Sequence, residues 1–405
     1  MSRSRVLTFG ALTGVLASGY GVMFTVLDDF RDEYGIAAHW LGVIVGIGFI
    51  AAFLAQVFLA PIADRGRARQ LVVVGLLLNA VGLLAMAAGE TLGVLLAGRL
   101  VAGLGMGLGF PAVRRIVINA DPPRMGQNVG LLLSADVAGF AAGPAVSALL
   151  VPAFGIPAPF VVIAVLTLCF VPLILRVEVQ EATVAPETRF AFDLLRRRSI
   201  VAALLMGAVV FLMIGTFDAL WAIVLDDLDA SDWVANLGVT IFALPLIFLG
   251  AYGGRLAQRV GPFRLGTIGL LIGSVFIASH GWMPSAYGML VVATVHAVSD
   301  GLTMSSAGVA VGMVAPAERQ AGAQGMLGAV QALTGGATAV LAGVLYSVGG
   351  RALAYGVCSV VMVVLTLVAY WMAGPEHRRR PASAGAGGGL DVASTERPAI
   401  VTGQA

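Results

Sequence analysis

Read for hydropathy alone, the chain is a succession of long apolar runs separated by short polar interruptions. A helix crosses the hydrocarbon core of a bilayer with roughly 20 apolar residues. Runs of that length fall near 6–27, 38–62, 70–89, 92–113, 126–151 and 157–175, and again near 200–225, 233–253, 264–283, 286–313, 321–347 and 352–373. The pattern predicts an all-α membrane protein with twelve transmembrane helices in two six-helix bundles. Between them, 177–199 is the longest interior polar stretch, carrying Glu178, Glu181, Glu187 and the run Arg196 to Arg198. The expected units are an N-terminal bundle over 1–176, a cytoplasmic linker over 177–199, a C-terminal bundle over 200–373 and a tail over 374–405. The Ala, Gly and Ser content of the tail predicts no fixed structure.

Composition turns this pattern into a statement about solvent. Of the 405 residues 59% are hydrophobic and only 11% charged, too few charges to cover a water-facing surface. The net charge of +2 offers no basic field for nucleic acid. Cys169 and Cys358 both lie inside apolar runs, with no metal-ligand spacing and no disulfide framework. Arg3 and Arg5 before an apolar run give the N-terminus the look of a signal peptide, but that run extends for about 22 residues and leads directly into further spans, so it is read as the first helix.

Orientation follows from the basic residues, since cytoplasmic loops accumulate positive charge. All 24 are arginine. With both termini inside, every arginine except Arg31, Arg99 and Arg351 falls in a predicted cytoplasmic segment, including Arg65, Arg67, Arg69, Arg114, Arg115, Arg124 and Arg378 to Arg380. A shift of one helix would destroy this bias.

Two registers of internal repetition support a duplicated, pseudo-symmetric unit. Val26-Leu27-Asp28-Asp29-Phe30 closes the first span and Val224-Leu225-Asp226-Asp227-Leu228 the seventh, which sets Tyr20 opposite Asp218. A second register sets Arg124 opposite Arg319, Gly130 opposite Gly325, Asp136 opposite Gln331 and Gly105 opposite Asp300.

The turn after span two reads Ala60-Pro61-Ile62-Ala63-Asp64-Arg65-Gly66-Arg67-Ala68-Arg69, and after span eight comes Gly254-Arg255-Leu256-Ala257-Gln258-Arg259-Val260-Gly261. The first resembles the Gly-x-x-x-Asp-Arg-x-Gly-Arg signature of the major facilitator superfamily. Ala60 replaces its first glycine, one residue is missing before Gly66, and Gln258 replaces the acid in the second copy. Glycine permits a tight turn, and Asp and Arg can pair and cap helix ends, so Asp64, Arg65, Gly66, Arg67, Gly254, Arg259 and Gly261 are the expected gating residues. Span four carries Arg99-Leu100-Val101-Ala102-Gly103, similar to the superfamily's buried-arginine motif. In span five Gly139-x-x-x-Gly143-Pro144 looks like its antiporter motif, associated with export in exchange for protons; glycines four apart equally serve close helix packing. The resemblance implies two bundles around a central cavity open alternately to each side, in a drug- or metabolite-proton antiporter of the plasma membrane.

Ionisable groups inside spans are functional candidates, because an idle charge in hydrocarbon is costly. Arg99 is expected to face the interior, with Asp136 as one possible partner. Asp218, between Phe217 and Trp221 along the chain, is the leading coupling or substrate site. His296 and Asp300 are four apart on one helical face and form either a proton relay or a packing pair. Tyr20, Trp40, Trp221 and Trp233 line a cavity or mark the interfaces. The acids Asp28, Asp29, Asp226, Asp227, Asp229 and Asp232 belong to outer loops and reinforce topology. The reading is a proton-coupled secondary exporter of a small amphipathic molecule, acting as a monomer without metal or cofactor. An uptake symporter or facilitator of the same fold is the alternative. A membrane-embedded enzyme or receptor is the remote one, against which stands the lack of any phosphate loop, metal cluster or nucleophile–base motif.

Overall fold

The computed structural model describes residues 3–182 and 185–375; the expected tail beyond 375, with Arg378 to Arg380, lies outside them, as does the side chain of Trp233. Among the described residues there is no strand. The N-terminal half comprises α1 (Arg3–Thr25), a short α2 (Leu27–Asp32), α3 (Ala38–Leu54), α4 (Ala68–Ala88), α5 (Leu92–Ala120), α6 (Met125–Phe154) and α7 (Pro157–Arg176). The C-terminal half comprises α8 (Arg198–Asp227), α9 (Asp232–Val260), α10 (Pro262–His280), α11 (Ala286–Thr303), α12 (Ser306–Val314) and α13 (Gln320–Met372). Helices satisfy every backbone polar group within one segment, the requirement that lipid imposes.

Eleven described stretches are long and apolar enough to cross a membrane. The last of them hides a twelfth crossing. At 53 residues, α13 would extend about 80 Å if continuous, far beyond a hydrocarbon core of about 30 Å. It breaks at Gly349 and Gly350, the latter at φ 68°, so the two predicted final spans meet almost without a loop. The predicted span over 286–313 is divided in turn, at Met304 and Ser305, into α11 and α12.

Boundaries moved where polar residues lie inside helices. The stretch from Gly254 to Val260, expected as a loop, forms the last two turns of α9. Arg114 and Arg115, expected in a loop, lie inside α5, and Arg115 is buried. Asp28 and Asp29, expected in a loop, lie in the short α2, and Asp226 and Asp227 end α8; Asp28 and Asp32 flank Arg31, whose guanidinium lies 3.5 Å from the first and 2.7 Å from the second.

Leu149, Phe248 and Val348 are each 76% exposed, a placement that only lipid makes favourable. Inside, each half has its own apolar core: Phe9, Leu16, Leu76 and Leu108 with Met23, Phe30 and Phe160 in the first, and Met213, Phe217, Leu270, Tyr355 and Met362 in the second. Because lipid is as apolar as a core, helices associate in it largely through close backbone approach. Gly14 of α1 faces Gly139 of α6, and Gly21 faces Gly143. In the second half Gly215 of α8 faces Gly335 of α13. First span against fifth, and seventh against eleventh, is the same contact made twice.

Candidate functional site

The halves meet along two seams at the arginine-rich face. In the first, α3 runs into a π turn (Ala55–Leu59) and a 3-10 turn (Ala60–Arg65). Pro61 supplies no N–H, and Gly66 at φ 76° ends the winding. This local departure from α geometry sets Gln56, Ala60, Pro61 and Asp64 against the start of α13. Asp64, 1% exposed, accepts hydrogen bonds from the backbone N–H of Ala321 at 2.9 Å and of Gly322 at 2.7 Å. Arg115 Nε donates to the same carboxylate at 3.1 Å. The first N–H groups of a helix have no intrahelical acceptor and carry the positive end of its dipole, so a carboxylate there is doubly favoured. The acid in the turn thus pairs with Arg115 of α5 and not with Arg65 or Arg67, both of which are exposed. Arg65 reaches the carbonyl of Pro186 at 3.4 Å.

The second seam repeats this arrangement with α6 and α9. Gln258 Oε1 accepts from the N–H of Gly126, at the start of α6, at 2.7 Å, and its Nε2 donates to the carbonyl of Pro122 at 3.0 Å. Gly126 and Gly130 lie directly against Gly254 and Gly250, and Ser134 Oγ donates to the carbonyl of Leu246 at 3.3 Å. Gln258 therefore occupies the place of Asp64 and does the same capping with a neutral group. Arg259 is exposed, and Gly261 at φ 105° ends α9.

The segment joining the halves straps the first seam. Glu181 accepts from the N–H of Ala68 and of Arg69, each at 2.9 Å, capping α4. Arg319 donates to Thr188 Oγ1 at 2.6 Å, to the carbonyl of Phe190 at 2.9 Å and to Asp193. The rings of Phe190 and Phe192 pack on Phe58, with centroids 5.8 and 6.3 Å away.

Inside the spans the expected groups divide into four places. Arg99 is 1% exposed and its guanidinium carbon lies 3.8 Å from the centroid of the Tyr20 ring, a cation–π contact. Gly48 leaves room for it: a Cβ there would come within 2.5 Å of Arg99 Nε. The arginine faces the interior as expected, but its partner is an aromatic face. No ion pair joins Arg99 to Asp136 among the described residues, so the expected pairing is not made; the cation whose charge reaches Asp136 is Arg114 of α5. In the C-terminal half, Nε2 of His296 lies 3.4 Å from Asp300 Oδ2, both buried. Phe276 stacks on His296 at 5.0 Å between centroids, with His280 at 6.3 Å and Tyr355 beyond it at 5.6 Å from His280. Trp221 is buried there too, stacked at 4.7 Å on Phe217, so it lies in the bundle core and not on a cavity wall. Asp218 alone of the expected in-span acids is exposed, whereas its neighbours Phe217 and Trp221 are buried.

The sequence model of the Major Facilitator Superfamily matches residues 9–226 and 203–402, essentially the whole chain. The chain belongs to that superfamily. It is 25% identical over 321 residues to the multidrug resistance protein MdtG of Serratia proteamaculans, covering 72% of this chain and 75% of the relative. Identity is 24% over 129 residues to the quinolone resistance protein NorA of Staphylococcus aureus, about a third of either chain. Among solved structures, the proton:xylose symporter XylE superposes with a TM-score of 0.73 at 14% identity over 92% of this chain and 97% of that one. The transporter FucP in its outward conformation gives 0.72 at 16% identity, over 91% and 97%. At such identities the structural likeness speaks for the fold.

Membership in the superfamily makes the chain a multi-pass membrane transporter of a small molecule. In it Gly139 and Gly143 have a packing role against α1, and Pro144 follows them inside α6. Sequence reasoning missed Arg115, Glu181 and the Arg319–Asp193 pair. The repeat register held one signal for the last, since it set Arg319 opposite Arg124.

Proposed function

We propose that this transporter exports a small amphipathic molecule from the cytoplasm in exchange for protons, by alternating access. The observation that carries the reading is the pairing of a sealed arginine-rich face with an exposed acid inside a span, Asp218, in a chain related to MdtG. The positive-inside bias supports a cytoplasmic position for the arginine-rich face and both termini. Asp218 lies nine residues before the end of α8, about 14 Å from the outer end. A proton arriving from outside reaches this carboxyl, removes its charge, weakens its hold on a cationic or polar substrate group, and favours return to the inward-facing state. Arg114 with Asp136, and His296 with Asp300, are the remaining coupling candidates. Arg99 on Tyr20 holds α5 to α1.

Transport by inverted vesicles tests this reading. Asp218→Asn is expected to abolish dependence of substrate uptake on an imposed pH gradient, with a loss of at least about tenfold in driven flux. Coupling unchanged in that variant removes Asp218 from the mechanism. Substrate movement only in the opposite direction would replace export by uptake on the same fold.

A further inference from the structure

Outside the second seam, a cavity of about 550 Å³ lies between α1, α6 and α9. Its polar lining is Asp121, Arg124, Gln127, Asn128 and Arg255, and its apolar wall includes Val6, Leu7 and Leu131. Arg124 and Arg255 are exposed and make no side-chain hydrogen bond or ion pair among the described residues, whereas the acid, Asp121, is engaged by another group. Asn128 is 5% exposed, and its Nδ2 has no protein acceptor. The cavity therefore presents two uncommitted guanidinium groups and one buried amide donor.

Its mouth opens beside an exposed apolar stripe. Phe248, Tyr252, Arg255 and Arg259 follow one another at helical spacing on a single face of α9, and the first two are 76% and 54% exposed. Arg255 thus stands where the lipid-facing stripe reaches the arginine-rich end. Leu7, half exposed, gives α1 a matching apolar edge. A free anion has no use for such a wall, and an acyl-glycerol has.

The geometry points to a binding site for the anionic phosphate headgroup of an inner-leaflet phospholipid, held between Arg124 and Arg255 with its glycerol end against Leu7 and Leu131. Basic recesses between transmembrane helices on the cytoplasmic side suit such headgroups. One arginine belongs to each half, and the recess exists where Gly126 meets Gly254, so a bound headgroup bridges the halves in the sealed state. The leaflet rests on the sidedness proposed above; the binding itself does not depend on flux.

Native mass spectrometry of the purified full chain, with phosphatidylglycerol and phosphatidylcholine supplied in turn, measures it. Phosphatidylglycerol is expected to remain bound and phosphatidylcholine to be lost. The variant R124Q/R255Q should weaken retention of phosphatidylglycerol about tenfold, and R124K/R255K should restore most of it. The charge-matched variant R196Q/R264Q, which alters exposed arginines outside the cavity, should leave retention unchanged. Equal loss in that control would reduce the effect to unspecific attraction and overturn the site. Undiminished retention in R124Q/R255Q overturns it as well, and full displacement by inorganic phosphate would assign the recess to a soluble anion. Failure of proton-driven export would leave all these outcomes intact.

Discussion

Asp64→Ala is expected to open the arginine-rich face. The substitution removes the acceptor of two N–H groups at the start of α13 and the near carboxylate of Arg115, which is 2% exposed. Glu181 remains only at 3.9 Å from Arg115 Nη1. Breaking a buried pair by deleting one partner costs about 3–5 kcal/mol, and hydrogen bonds to a charged group contribute about 1.5–3 kcal/mol each. These contributions overlap, so about 3 kcal/mol is a fair figure for the pair of losses, enough to shift a two-state equilibrium by roughly a hundredfold. Spin labels at Gln70 and Arg264, exposed near the sealed face on opposite halves, report the change as a longer distance in pulsed dipolar spectroscopy. Asp64→Asn, which keeps one acceptor oxygen, should give an intermediate population. A distance distribution identical to that of the unsubstituted protein in both variants would show that the carboxylate does not hold this seam.

Gly139→Val acts on folding and not on the gate. A Cβ at this position overlaps the carbonyl of Gly14, and backbone has no rotamer by which to move aside. α1 and α6 must separate along much of their contact, in a solvent where close packing supplies the attraction. A loss of at least about 3 kcal/mol is expected, at the upper end of overpacking effects. Heating in detergent followed by size-exclusion chromatography should show little folded protein surviving. Gly343→Val is the control, because a Cβ there meets nothing within 4 Å. Survival of Gly139→Val at the level of that control would mean the helix approach is looser than described.

The spans were legible because hydropathy over about 20 residues is a local signal, and one that lipid enforces. The equivalence of Asp64 and Gln258 was legible as well, through their matching places in two similar stretches, although the chain shows the amide only as a replaced acid and the structure makes it a neutral cap. Arg115 was read as one more loop arginine, since nothing near it in the chain announces an acid 51 residues earlier. Glu181 and the start of α4 are 113 positions apart. Contacts of that kind leave no periodicity to find. The partner of Arg99 is hidden for another reason: a buried cation calls for an opposite charge, and Tyr20 answers with its ring face.

The two seams differ in one respect that matters for motion. A carboxylate can take up a proton and give up its charge while keeping one acceptor oxygen; a carboxamide has no such event available in ordinary cytoplasm. Acid that penetrates from the loop side can therefore weaken the hold of Asp64 on Arg115 and on the start of α13, and leaves the cap between α6 and α9 as it was. The two seams therefore answer differently to acid, one through a group that titrates and the other through one that does not.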